Sequence, residues 1–492
     1  MVQGTGSSVG KSLLVAALCR MFRQDGHSVA PFKAQNMSLN SGVTPGGHEI
    51  GRSTLVQAEA AGVLPTVDMN PILLKPEADH RSQLVLMGRP AGHIEAHHFN
   101  ARRADMWDAV TAALGRLRAE HDLVVIEGAG SPAEINLRHG DIVNMEVALH
   151  AEAPVLLVGD IDMGGVFAQL YGTLELIAKK ERELVAGMVI NKFRGDVEVL
   201  KPGLVTLEEL TGKPVMGVVP YVRDLQIAEE DSPSGQPTVS NGEVVDVAVV
   251  VLPHIANFDD FDPLKLEPGA GLRYVRRAQE LGRPDLVVLP GTKTTVADLH
   301  YLRESGMADA VAGLAASGTA VLGICGGFQM LGERIHDPDH IESQSDDTLG
   351  LGLLPVVTTF GAGKETRLVE GLALRAHGLF AGATGMAVSG YEIHMGSSSS
   401  TVSGESKESG PLFDLSGRGD GQASEDGWVA GTYLHGLFRN ADLRRQVLAN
   451  LAARKGASLP SGSNTFDASA EYDRLADHFR EALDMEAIYA LL

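Results

Sequence analysis

The chain has 492 residues, of which 44% are hydrophobic and 57 are glycine, and a formal net charge of −22. That length predicts two or three domains, and a glycine-rich, aromatic-poor composition fits α/β structure. The acid excess without a dense Lys/Arg tract argues against a nucleic-acid partner, two cysteines exclude a disulfide framework, and no apolar run approaches the roughly 18–20 residues of a membrane span.

No charged and apolar leader opens the chain, so a soluble, cytoplasmic protein without a membrane partner is expected. Homo-oligomerisation is left open. The first glycine turn begins at Gly4, so the strand before it is very short or the start is placed late.

Gly4-Thr-Gly-Ser-Ser-Val-Gly10-Lys11-Ser12 is a glycine-rich loop opening an apolar helix over 13–22. Backbone N–H groups of such a loop cradle phosphates, and the helix N-terminus adds partial positive charge. Gly4, Thr5, Gly6 and Gly10 are the loop candidates; Lys11 can reach the β/γ-phosphates and Ser12 can hold Mg²⁺. Five residues separate Gly4 from Gly10 where the usual loop has four. Lys33, after Val29-Ala-Pro-Phe, is a second candidate to counter phosphate charge.

Further along, a helix is expected over 106–118, followed by apolar runs at 123–126, 155–158 and 187–190. These short β-branched runs read as strands of a parallel sheet. Glu127 ends the first run, where a second Mg²⁺ ligand is needed; a solvated strand-end acid is the alternative. Asp160 and Asp162 follow the next run, as metal or substrate ligands or as turn-forming aspartates.

Residues 227–245 read as a linker, overlapping a Pro-, Ser-, Gly- and acid-rich stretch over 225–243. A second set of strands is expected at 246–252, 285–289 and 319–324. The last runs into Gly323-Ile-Cys-Gly-Gly-Phe-Gln329, a strand turning into a helix with Cys325 at the bend. This is nucleophile-elbow geometry. The helix N-terminus favours a thiolate, and the N–H of Gly326 can face an oxyanion. Gly291, in Pro290-Gly-Thr, is a candidate for a second oxyanion donor. His435, after the strand-like stretch 428–434 and before Gly436, is the best-placed base among 17 histidines. Residues 397–426 read as a long surface loop, and a helical pattern begins at Ala468. The fold expectation is α/β with two doubly wound, mostly parallel sheets. The domains are 1–226, ATP-binding and P-loop NTPase-like; 246–445, carrying the cysteine; and a helical segment over 446–492.

The second half resembles class I glutamine amidotransferase domains, on the Cys325 string and on Gly431-Thr-Tyr-Leu-His-Gly436. The resemblance implies that Cys325 attacks the glutamine side-chain amide, that His435 is its base and acid, and that Gln329 shapes the glutamine pocket. Most such domains carry an orienting glutamate two residues after the histidine. Here that position is Leu437, so a Cys–His dyad is expected.

The first half resembles dethiobiotin synthetase-like ATPases, on the stretched glycine loop and Glu127-Gly-Ala-Gly130. That likeness implies carboxylate activation by phosphorylation and places Asn191 at the adenine. Nearly the whole chain resembles the cobyric acid synthase family. The strings include Pro31-Phe-Lys-Ala-Gln-Asn-Met-Ser-Leu-Asn40, Asp160-Ile-Asp-Met-Gly-Gly-Val-Phe167, Asn257-Phe-Asp-Asp-Phe-Asp-Pro263 and Tyr391-Glu-Ile-His-Met-Gly396. The family implies ATP- and Mg²⁺-dependent amidation of the b, d, e and g carboxylates of adenosylcobyrinic acid a,c-diamide, with L-glutamine as nitrogen source. Gln35, Asn36 and Asn40 are candidates to meet the amide-rich corrinoid. The rival enzyme is a cobyrinic acid a,c-diamide synthase of the same plan. A partitioning-type ATPase switch is a distant rival that leaves the cysteine half unexplained.

Overall fold

The computed structural model describes residues 1–78, 80–95, 102–227, 244–374, 377–402, 410–462 and 467–492. The chain forms two compact units. One comprises Met1–Ser38, His48–Glu230 and Asp467–Leu492; the other comprises Leu39–Gly47 and Asp231–Phe466. Most of the expected linker, residues 228–243, lies outside the described residues.

The first unit is built on parallel strands. Val2–Gly4, Val155–Asp160, Val185–Phe193 and Val215–Pro220 pair in that order. Val29–Phe32 pairs with Leu123–Ile126, and a parallel bridge from Val2 to Glu127 joins this pair to the main sheet. Along Val155–Asp160, Leu156 and Val158 enter one buried cluster while Val155 and Leu157 enter another, so the strand is covered on both faces. This is why the run lacks polar alternation in the sequence. The helix Lys11–Gln24 lies in the first cluster with the C-terminal helix Ala468–Ala482. Arg20 pairs with Asp473 at 2.7 Å, and the Tyr472 hydroxyl donates to Glu59 at 2.8 Å. Strands Gln35–Met37, Ile72–Ala78, Arg81–Leu86 and Arg89–Glu95 form a further sheet, antiparallel over its last three strands.

The second unit contains a six-stranded sheet in the order Ala270–Val275, Val245–Val250, Leu286–Leu289, Ala320–Ile324, Val429–Thr432, Gln422–Ala423. The first five strands run parallel and the last antiparallel. Both doubly wound sheets are therefore present, at the expected apolar runs.

Two readings change. Residues 397–426 are not one loop. Ser397–Ser400 end the strand Ala387–Ser400, which pairs with Val356–Ala373, and further strands lie at Phe413–Leu415, Arg418–Asp420 and Gln422–Ala423. Residues 403–409 lie outside the described residues. A serine run has weak strand propensity, and pairing to a long neighbouring strand overrides it. Residues 446–492 are not one segment. The helix Ala441–Arg454 belongs to the second unit, whereas Ala468–Ala482 and Met485–Tyr489 belong to the first. Among the described residues no helix is long and apolar enough to cross a membrane.

Candidate functional site

The glycine loop leaves the strand Val2–Gly4 and enters the helix at Lys11 through Gly10, whose φ of 96° suits glycine. A Cβ on Gly10 would also sit 2.0 Å from Nδ2 of Asn191, which donates to the Val9 carbonyl at 2.9 Å. Asn191, expected at the adenine, thus holds the loop with its amide nitrogen. Lys192 was missed by the sequence reading. Its Nζ donates to the Ser8 carbonyl at 2.6 Å and lies 2.8 Å from Asp160. Asp160, a metal candidate, is committed to that lysine and to the N–H of Asp162 at 2.8 Å. The N–H of Thr5 donates to Val158, and its hydroxyl lies 3.2 Å from Gln169.

Lys11 Nζ bridges the loop, 2.7 Å from the Gly6 carbonyl and 3.2 Å from that of Gly130. Gly130 belongs to the turn after Glu127, so one ammonium spans both glycine segments. The Ser12 hydroxyl donates to Glu127 Oε1 at 2.8 Å, Lys33 Nζ sits 3.0 Å from the same oxygen, and Gln57 Nε2 donates to Oε2 at 2.5 Å. Burial alone would push the Glu127 carboxyl up. The Lys33 charge and the hydrogen bonds from Gln57, Ser12 and Lys33 outweigh it and hold the group below the usual carboxylate range. A hydroxyl beside a carboxylate kept charged is an oxygen-only donor set that fits Mg²⁺. Among the described residues no group of three or more His, Cys, Asp or Glu side chains gathers around a point, so phosphate oxygens and water would complete such a shell.

In the second unit Cys325 has φ 52° and ψ −109°, an unusual conformation for a non-glycine residue. It joins the strand Ala320–Ile324 to the helix Gly326–Leu331. The close approach of these elements requires the glycines: a Cβ on Gly323 would lie 2.6 Å from the Phe328 nitrogen, and one on Gly327 would lie 2.0 Å from the Leu289 carbonyl oxygen. Cys325 Sγ is 3.5 Å from the Ile393 carbonyl oxygen.

His435 is fixed by a backbone bridge to Tyr391, with N–H···O distances of 2.9 and 3.2 Å, and its ring stacks on that of Tyr391 at 5.1 Å. Its Nδ1 lies 2.6 Å from Asp260 Oδ2, and the Gly436 N–H donates to Asp260 Oδ1 at 2.9 Å. Burial alone would lower the imidazole. The Asp260 charge, the Asp260 hydrogen bond and a hydrogen bond with Cys325 outweigh it and raise His435 to about 10. The arrangement favours an imidazolium beside the Cys325 sulfur.

The expected dyad is therefore a triad, with Asp260 in place of an acid at position 437. Leu437 is buried apolar wall. Gly291 leaves room for the imidazole, since a Cβ there would lie 3.0 Å from His435 Cε1. Gly326 is closed in by Thr292, whose methyl would be 2.6 Å from an added Cβ. The Gln329 amide is spent inside the wall: Oε1 accepts from Thr295 Oγ1 at 3.0 Å, and Nε2 lies 2.9 Å from the Met395 carbonyl and 3.1 Å from the Tyr433 hydroxyl.

Two family models match the chain. Residues 1–233 match the CobQ/CobB/MinD/ParA nucleotide binding domain, and residues 246–443 match the CobB/CobQ-like glutamine amidotransferase domain. The cobyric acid synthase of Dehalococcoides mccartyi is 50% identical, over 100% of this chain and 98% of that one. Those of Desulforudis audaxviator and Sorangium cellulosum are each 51% identical, over 100% and 98% of this chain and 98% and 96% of theirs. The chain belongs to the cobyric acid synthase family.

That membership puts Asp260 in a new light. The residue stands in the string Asn257-Phe-Asp-Asp-Phe-Asp-Pro263, which the sequence ties to the family without a role. Five acids occur from 259 to 280, and only the fold selects the one beside the imidazole. Of the corrinoid candidates, Gln35 and Asn36 lie in or beside the Gln35–Met37 strand of the first unit, whereas Asn40 belongs to the second.

Proposed function

We propose that this member of the cobyric acid synthase family amidates the b, d, e and g side-chain carboxylates of adenosylcobyrinic acid a,c-diamide, using ATP and glutamine. The observation that supports this reading most is the presence, in one chain, of a phosphate-type loop with a charged Ser12–Glu127–Lys33 cluster and a Cys325–His435–Asp260 triad.

A carboxylate is a poor electrophile. Transfer of the ATP γ-phosphoryl group to it gives an acyl phosphate and ADP; ammonia then attacks the carbonyl carbon and phosphate leaves. Lys11 and Lys33 offset charge on the transferring group, and Ser12 and Glu127 would hold Mg²⁺, which supplies charge neutralisation. The backbone around Val9 and Ser8, fixed by Asn191 and Lys192, keeps the loop shaped for phosphate.

Ammonium dominates at neutral pH, so ammonia has to be generated. The Cys325 thiolate attacks the glutamine amide carbon, His435 gives its proton to the departing ammonia, and a thioester remains. His435 then takes a proton from water, which attacks the thioester and releases glutamate. Asp260 keeps Nδ1 protonated so that Nε2 faces the chemistry. The proposed setting is the cytoplasm.

The test is product mass after incubation with the a,c-diamide, ATP, Mg²⁺ and glutamine. A ladder of four successive amidations is expected; activity on cobyrinic acid alone would instead indicate a,c-diamide synthesis. Cys325→Ala is expected to lose glutamine-dependent amidation and keep amidation from concentrated ammonia. Lys11→Ala is expected to lose both while still releasing glutamate.

A further inference from the structure

Residues 39–47 lie within the stretch matched by the nucleotide-binding family model, yet they belong to the compact unit that holds the triad. Their contacts there converge on the triad by two routes. Asn40 Oδ1 accepts from the Asn257 N–H at 2.7 Å, and the Ser41 N–H donates back to Asn257 Oδ1 at 2.9 Å. All three residues are buried. Asn257 has φ 53°, a left-handed conformation that costs a non-glycine residue energy unless its surroundings hold it. The reciprocal pair supplies that hold. The Asn257 carbonyl in turn accepts from the Asp260 N–H at 3.1 Å, opening the helical turn that aims the Asp260 carboxylate at His435.

The second route is apolar. Val43 clusters with Tyr391 and Ile393. Tyr391 is the residue stacked on the His435 ring, and Ile393 supplies the carbonyl next to Cys325 Sγ. One short segment thus backs the acid, the base and the nucleophile.

We propose that residues 39–47 are a positioning element of the glutamine-hydrolysing triad, acting on Asp260 through Asn257 and on His435 through Tyr391. This rests on the amidotransferase reading above. Asn40 is then a positioning residue for ammonia release, in place of the corrinoid contact expected from the sequence. Lys33, paired with Glu127, stands seven positions before Asn40 in the chain, so the triad's support is continuous with the segment carrying a phosphate-site lysine.

The experiment compares the full-length wild type, Asn40→Leu, Asp260→Asn and the double variant. Asn40→Leu removes the acceptor while keeping side-chain size. The expected result is a fall of about tenfold or more in kcat for glutamate release, with KM for glutamine nearly unchanged, since orientation and not binding is lost. Alkylation of Cys325 by iodoacetamide at pH 7 should slow, because a poorly oriented imidazolium stabilises the thiolate less. Amidation from saturating ammonia should stay at the wild-type rate, which also certifies folding. In the Asp260→Asn background, Asn40→Leu should change kcat by less than about twofold, because both act through one path. Val43→Ala, a smaller change, should move glutamate release and alkylation in the same direction.

Equal loss of ammonia-dependent amidation in Asn40→Leu would overturn the proposal and return Asn40 to the corrinoid. Full additivity in the double variant, or an unchanged kcat, would also overturn it. If the wild type released no glutamate, or Cys325→Ala still released it, the amidotransferase reading itself would fail. Failure of the present proposal alone requires both of those controls to behave as expected.

Discussion

Asp260 Oδ2 lies 2.6 Å from Nδ1 of His435, although the two residues are 175 positions apart in the chain. The carboxylate also accepts the Gly436 N–H, so it fixes both the ring and the backbone beside it. Asp260→Asn can keep the geometry while offering a donor where an acceptor is needed. Glutamate release should fall by about 10²–10⁴, by the logic of an acid that sets tautomer and charge. Ammonia-dependent amidation should be untouched. Steady-state assays with the two nitrogen sources check this.

The buried Lys33–Glu127 pair at 3.0 Å allows a second prediction. Lys33→Met leaves the Glu127 carboxylate without its largest favourable charge partner. Removing one partner of a buried pair costs about 3–5 kcal/mol. The unfolding midpoint of the first unit should drop, and amidation should fail with glutamine and with ammonia alike. Denaturant titration and a product assay read the two effects separately.

The elbow sets a third. Gly327→Ala places a Cβ 2.0 Å from the Leu289 carbonyl oxygen, which is backbone and cannot swing aside. The strand and the helix carrying Cys325 must separate, at a cost of about 1–3 kcal/mol or more. Glutamate release should be lost, and alkylation of Cys325 at neutral pH should slow. A thermal melt and a timed alkylation measure both.

The fourth concerns pH. Burial pushes the His394 imidazole down to about 4, aided by His435 and Arg367 and opposed by the Gly396 carbonyl and Glu365. The folded protein therefore binds fewer protons here than the unfolded chain between about pH 4 and the ordinary 6.5. The stability held by neutral His394 is complete above 6.5 and is lost as pH falls toward 4, about 3 kcal/mol in all. His394→Asn should reduce the difference in urea midpoint between pH 7.5 and pH 4.5. An unchanged difference would mean that the ring is hydrated when charged.

The two candidate centres stand out in the sequence because each depends on local constraints. A phosphate loop needs glycines and a lysine at a strand-to-helix turn, and Gly4 to Ser12 supply them in one contiguous run. The Cys325 elbow likewise records its strain in the flanking glycines. The parallel strands were legible because burial on both faces leaves unbroken apolar runs. The serine-rich strand at 397–400 was not, since its pairing depends on a partner some forty positions earlier, as in Thr359 with Ser397.

By itself the sequence determined that the fold is α/β in two halves, and it nominated the candidate nucleophile, base and phosphate-site cation. Each of those roles is encoded by neighbours within a few positions. The tertiary structure decided the relationships between distant segments. It set Asp260 beside His435 while Leu437 holds the position of the usual acid, turned Asn191 and Lys192 onto the phosphate loop, and paired Asn40 with Asn257. Hydrogen bonds across more than a hundred residues leave no local pattern in composition or period, so only the folded chain reveals them.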